Sequence, residues 1–195
     1  MEFRRLERAF QLFDAYNSGD NKKYFWNNTE YPQELFLALR LYDWVTKLEP
    51  NAGESLLLAS RCQHIGRWEI PRKSYPEGKA AYLNWRSGLA RYHAEKAGAL
   101  LEEAGYELTT INHVKRIVLK QQLKTDPEIQ TMENALCLVF LEFEYDDFIK
   151  KHDDSKVLRI LQKTWAKMTE PGRSAALTLS FSDRGGKLIK QALSL

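Results

Sequence analysis

Cysteine is scarce in these 195 residues: only Cys62 and Cys137 occur, each inside an apolar or helical stretch, and no Cys-x-x-Cys spacing is present. That excludes a disulfide-stapled scaffold and a zinc ribbon, and it predicts two reduced, buried thiols. Long apolar runs are also missing. The longest, Ala135 to Phe143, is broken only by Glu142 and is far too short to cross a bilayer, so no membrane association is expected. The first five residues, Met1-Glu2-Phe3-Arg4-Arg5, place charges where a secretory signal needs an apolar segment, and a cytoplasmic setting is expected. Neither sign of charge dominates. With 29 Lys and Arg against 26 Asp and Glu, the formal net charge of +3 is too small to mark an obligate nucleic-acid binder.

Repeats, linkers and low-complexity segments are absent as well. Apolar residues at 44% and charged residues at 28% are ordinary for a globular core. Length and continuity predict one domain over residues 1–195.

The patterning that is present is helical, and the fold class it predicts is all-α: a compact, single-domain helical bundle. Phe3, Leu6, Phe10 and Phe13 mark a first helix over Glu2 to Tyr16, ended by Asn17-Ser18-Gly19-Asp20-Asn21. Asn27 to Tyr31 reads as a polar loop. Pro32 suits the first turn of a helix running to Leu48, with Leu35, Leu39, Tyr42 and Val45 on one face. Glu54 to Arg67 forms the next. After a loop with two prolines, a long helix runs from Lys79 to Ala104 and stops at Gly105. Thr109 or Thr110 is placed to cap the segment to Leu123. Thr125 and Glu128 have capping-box spacing ahead of the most apolar, hence central, helix. Asp153 or Asp154 precedes a helix that Pro171-Gly172 ends, Ala176 to Phe181 is a candidate extended segment, and Asp183 to Leu195 is last.

Three residues on these helices point to chemistry. His93 shares a face with Ala97, Leu100, Leu101 and Ala104, which must turn inward. A buried imidazole needs a partner on each nitrogen, or a metal; either is open for His93 and for His64, near the end of its own helix. Glu133, at the start of the central helix, is either partly exposed or a buried carboxylate that needs a cation. Each of the three opens or closes a separate inward-packed helix, which is how bundles assemble polar cavities. Positive charge lies close by in sequence. Arg61, Arg67, Arg72, Lys73, Lys79, Arg86 and Arg91 face only Glu69 and Glu77 between residues 61 and 92, interleaved with Trp68, Tyr75, Tyr82, Trp85 and Tyr92. Arginine forks beside aromatic rings suit phosphate and base recognition, and a solvated basic face is the plainer alternative. Lys115, Arg116, Lys120 and Lys124 add to the charge.

Several blocks carry a close resemblance. Arg61-Cys62-Gln63-His64-Ile65-Gly66-Arg67-Trp68, Pro71-Arg72-Lys73-Ser74-Tyr75-Pro76, Tyr92-His93-Ala94-Glu95, Leu123-Lys124-Thr125-Asp126-Pro127-Glu128 and Lys163-Thr164-Trp165-Ala166-Lys167-Met168 are similar to the signature of a bacterial and fungal family catalogued as domain of unknown function forty-two-zero-two. That likeness covers essentially the whole chain and brings no activity with it. A second, remote resemblance runs from Leu58 to Arg67, which is similar to the helix bearing the paired His-Asp metal ligands of the HD-domain phosphohydrolases. It implies an HD-like fold and a divalent transition metal held by His64, His93 and Asn134. It also implies catalysis by Glu133 and His64. The basic side chains expected to contact the phosphate are Arg67, Arg72, Arg86, Lys120 and Lys124. Gln63-His64 stands where the superfamily has His-Asp, and the first helix offers Arg40 in place of a histidine. Asn134 stands where the closer family has aspartate.

The function expected from these features is a degenerate metal-dependent phosphohydrolase acting on a nucleotide or other phosphate-containing ligand. The alternative is a non-catalytic protein that binds RNA or a nucleotide through residues 61–92.

Overall fold

The computed structural model describes residues 2–194; Met1 and Leu195, and the side chain of Phe3 in the expected first stripe, lie outside the described residues. The elements in order are α1 (Glu2–Asn17), β1 (Lys23–Trp26), β2 (Thr29–Pro32), α2 (Gln33–Leu48), α3 (Glu54–Cys62), α4 (Lys79–Glu103), α5 (Leu108–Val118) and α6 (Pro127–Val139). A π turn, Phe140–Glu144, joins α6 to α7 (Tyr145–Lys150), and α8 (Asp154–Lys167), α9 (Glu170–Ala176) and α10 (Asp183–Leu193) follow. The architecture is broadly all-α, and no described helix is long and apolar enough to cross a membrane.

The central place expected for α6 is observed. Ile129, Met132, Ala135 and Leu138 are fully buried, and α6 packs against α2, α3, α5, α8 and α9. Its start is fixed by Asp126, whose Oδ1 accepts from the N–H of Glu128 at 3.0 Å and of Ile129 at 3.3 Å, with Pro127 in the first turn. The cap is therefore Asp126 and not Thr125. Likewise α5 begins at Leu108 behind Glu107, so Thr109 and Thr110 lie inside it.

Three segments depart from the sequence reading. Lys23 to Pro32 is a β-hairpin rather than a loop, with register Lys23↔Pro32 and Trp26↔Thr29. Its two turn residues, Asn27 and Asn28, have φ of 48° and 61°, the left-handed pair that matches strand twist in a two-residue connection. Tyr24 and Trp26 alternate inward onto Phe36, Tyr24 stacking on it at 4.2 Å, while Phe25 points out. At the other end of the chain, Pro171-Gly172 opens α9 instead of closing α8, because proline needs no N–H in a first turn. That leaves Ala176 to Phe181 as a helix end and turn with no strand. Finally, α3 stops at Cys62, and His64 sits in the turn that follows.

Candidate anion-binding cleft

The turn after α3 is held in place by packing that only glycine permits. Gly66 has φ 69°, and a Cβ there would meet Tyr92 at 3.0 Å and Tyr16 at 3.1 Å. The Glu69 carboxylate accepts from both tyrosine hydroxyls at 2.5 Å, which clamps the turn to α1 and α4. His64 is thereby fixed opposite His93, with the ring centroids 5.7 Å apart.

His93 is 3% exposed on the inward face of α4. Its Nδ1 lies 2.7 Å from the carbonyl oxygen of Ile65. A carbonyl only accepts, so Nδ1 carries the proton. Burial pushes the His93 pKa down to about 4, against the pull of that hydrogen bond, so the ring is neutral at pH 7 and Nε2 holds a bare lone pair. Nε2 is buried and has no partner, and so is Oε1 of Gln63, whose Nε2 donates to the Val118 carbonyl at 3.0 Å. His64 is also held well below its ordinary pKa, first by burial and then by Arg67, His93, Lys120 and Arg86. Surface exposure leaves one edge of its ring open to the cleft.

The opposite wall is built from the end of α5. Lys120 has φ 54°, the left-handed position that usually takes glycine after a helix. The N–H of Lys120 donates to the Ile117 carbonyl at 2.9 Å and that of Gln121 to the Arg116 carbonyl at 3.1 Å, the Schellman pattern. A lysine there costs about 1 kcal/mol over glycine, and strain of this kind collects at functional positions. What the geometry achieves is to deliver the ammonium to Glu133. Lys120 Nζ lies 2.5 Å from Glu133 Oε2, and Lys167 Nζ lies 3.0 Å from Oε1. Burial favours the neutral acid, but the two lysines outweigh it and hold the Glu133 pKa below the ordinary range.

Between these walls lies an open cleft of about 790 Å³. Arg67, Arg86, Arg91, Lys120 and Lys167 line it, and its one carboxylate is Glu133, already shared by two ammonium groups. Tyr82 and Leu83 stand at its edge, 42% and 50% exposed, and rank among the few large apolar side chains left so open.

Of the residues expected at the site, His64, His93, Glu133, Arg67, Arg86 and Lys120 do line this cleft. Arg72 does not: its guanidinium donates to the carbonyls of Tyr75 at 2.9 Å and Pro76 at 2.8 Å and clamps its own loop. Lys124 is exposed and outside the lining. Asn134 turns the other way. Its Oδ1 accepts from the Thr169 N–H at 3.0 Å, and its Nδ2 donates to the Thr169 hydroxyl at 2.8 Å, so it ties α6 to the start of α9. A Cβ on Gly172 would come within 2.8 Å of that amide. Gly172→Ala is accordingly expected to lower stability by about 1–3 kcal/mol, read as a fall in the urea midpoint at constant m-value. Arg91 from the basic segment and Gln63 beside His64 also line the cleft, as does Lys167, though none of the three was expected to bind there. Lys167 had a signal, since it lies in a signature block, but it comes from a helix remote in sequence.

The expected metal site is incomplete in this geometry. Two imidazoles meet, Asn134 is committed elsewhere, and both Glu133 oxygens carry lysines. Catalytic zinc sites use three protein donors and structural ones four, imidazole among them. Among the described residues no group of three or more His, Cys, Asp or Glu stands close enough to hold one ion. The surrounding charge is positive, which suits an anion instead.

No curated protein and no solved structure matches the chain. The family model for Domain of unknown function (DUF4202) matches residues 7–189, nearly the whole length, and the chain belongs to that family.

Proposed function

We propose that this protein binds a phosphate-bearing small molecule, a nucleotide, in the cleft between α4, α5 and α6. The observation that carries the proposal is the imbalance of the lining, five cations against one carboxylate that is already neutralised. Arg86, Lys120 and Lys167 supply donors to phosphate oxygens, and Arg67 reaches the same space. His93 Nε2 and Gln63 Oε1 lie buried beneath the cleft, and the partly exposed His64 is the imidazole that a sugar hydroxyl can meet. Tyr82 and Leu83 offer a face on which a planar base can lie.

The remote likeness to HD-domain phosphohydrolases belongs to this reading. Its support is the order of elements, with His64 after α3, His93 on α4 and Glu133 midway along α6, which begins at Pro127 and not beside Glu133 as the sequence suggested. The residues present support binding more directly than metal-assisted hydrolysis, and neutral His64 serves as an acceptor at the cleft floor. A cytoplasmic setting fits two buried free thiols.

Calorimetric titration with adenosine 5′-monophosphate tests the proposal. Affinity should fall as salt rises, because exposed charges are screened within about 10 Å at 0.1 M. Arg86→Ala should weaken binding by about tenfold, the worth of one charge-assisted hydrogen bond. Binding that ignores both salt and Arg86 would place the ligand elsewhere. Preference for a single-stranded oligoribonucleotide over the mononucleotide would move the assignment to RNA.

A further inference from the structure

Behind His64, away from the cleft, lies a second and much smaller cavity of about 40 Å³, bordered by Asn17, Glu34, Ser60, His64 and Glu144. It has room for a water or two. Its lining holds two carboxyls and no lysine or arginine. Glu34, 6% exposed, has Arg67 as its ion partner at 3.9 Å. Asn17 is 1% exposed, and its Oδ1 has no partner. Glu144 closes the π turn after α6, a feature that often marks functional positions.

Two buried carboxyls and an unpartnered amide oxygen around so small a cavity cannot all stay unprotonated and unpaired. Burial raises the Glu34 pKa to about 7, with Arg67 pulling it down and Glu144 and Asp20 pushing it further up. Burial raises Glu144 too, again against Arg67. The remaining groups facing Glu34 are Lys22, which lowers its pKa, and the neutral ring of His64. Asp20 also accepts from the backbone N–H of Glu34 at 3.1 Å.

Arg67 belongs to both compartments. It lines the cleft, and it is the cation nearest the acid pair. Resting on the anion-binding reading of the cleft, we infer that an anion entering it draws Arg67 from Glu34, and that the Glu34–Glu144 pair then takes up a fraction of a proton from solvent. Binding in the cleft and protonation behind it are thus coupled. Reciprocity then requires that affinity fall as pH rises. His64, which borders both spaces, is the partition between them.

Sulfate is the probe of choice, because it mimics phosphate and carries no proton that titrates near neutrality. Calorimetry at pH 7 in two buffers of different ionisation enthalpy reads the protons taken up. The wild-type protein should take up a measurable fraction of a proton and bind sulfate roughly fivefold or more weakly at pH 8 than at pH 6. Glu34→Gln should bind sulfate with little uptake and a flatter pH dependence. Arg67→Ala should bind more weakly and also without uptake, since the coupling group is gone. Sulfate binding without uptake, or with equal uptake in Glu34→Gln, would overturn the coupling and leave the cleft intact. Absence of sulfate binding would remove the cleft assignment and the coupling with it.

Discussion

Glu133→Ala is expected to destabilise the protein by about 3 kcal/mol, one of the two largest effects anticipated for a single substitution in this chain. The carboxylate is 2% exposed, with one lysine on each oxygen. Deleting it strands the ammonium of Lys120, whose pKa burial already pulls below the ordinary lysine value. Lys120 and Lys167 keep 24% and 44% of their side-chain exposure, so both can partly rehydrate, and the loss should fall at the low end of the range for a broken buried pair. Substituting Glu133 and Lys120 together, by Gln and Met, should recover much of it, since an apolar stem replaces a stranded charge. Urea unfolding of the wild-type protein and the two variants provides the measurement. A loss under about 1 kcal/mol for Glu133→Ala would mean that the pairs are solvated in solution.

The same variants separate two roles for Glu133. A residue that neutralises Lys120 and Lys167 can be removed with anion binding retained or strengthened, because the cleft becomes more positive. A general base cannot be removed without losing turnover. The crowding of both oxygens by lysines favours the first role, since a base must present a free lone pair to the proton it takes.

Some of this arrangement was legible in the residues. The long helix α4 could be read because apolar positions recur every three or four residues from His93 onward and Gly105 stops them. The inward face of His93 was legible from Ala97, Leu100, Leu101 and Ala104, but its meeting with His64 depends on the turn after α3, which places that ring against the middle of α4. Other parts depended on tertiary contacts that leave no local trace. Each strand of the hairpin has four residues, too few for alternation to stand out, and Asn27-Asn28 has the composition of any polar loop. Arg72 and Lys124 looked equivalent to Arg86 and Lys120 on charge alone. Only the course of the backbone, which folds Arg72 onto its own loop and turns Lys120 left-handed, tells them apart. Glu34 was the least visible. An acidic residue in a helix first turn is ordinarily a solvated partner of the helix dipole. Its burial comes from α1, the Asp20 loop and the π turn closing over it. That turn also brings Glu144 to the same cavity, which an uninterrupted α-helical pattern would not reveal.

Stability should depend on pH through opposing groups, and Glu34→Gln should expose the opposition. Glu34 has a folded pKa of about 7 against 4.5 for the unfolded chain. Between those values the folded state holds the extra proton, so stability falls as pH rises. About 2.5 pKa units at 1.36 kcal/mol each amount to roughly 3 kcal/mol. His93 works the other way. Its folded pKa of about 4 lies below 6.5, so the unfolded chain binds the extra proton and stability grows as pH rises across that interval. His64, lowered by burial and by the same cations, acts in the same sense as His93. The two histidines should outweigh Glu34 up to about pH 6.5, above which Glu34 still titrates and the curve turns down. Removing its charge should leave stability near pH 4.5 almost unchanged. By pH 8 the variant should be more stable than wild type by as much as about 3 kcal/mol, with an acid limb steeper than the native one. Urea midpoints at half-unit intervals would trace both curves. If the variant and wild-type curves run parallel from pH 4.5 to 8, Glu34 is ionised in the folded protein throughout, and the cavity behind His64 must admit a cation or enough water to keep it so.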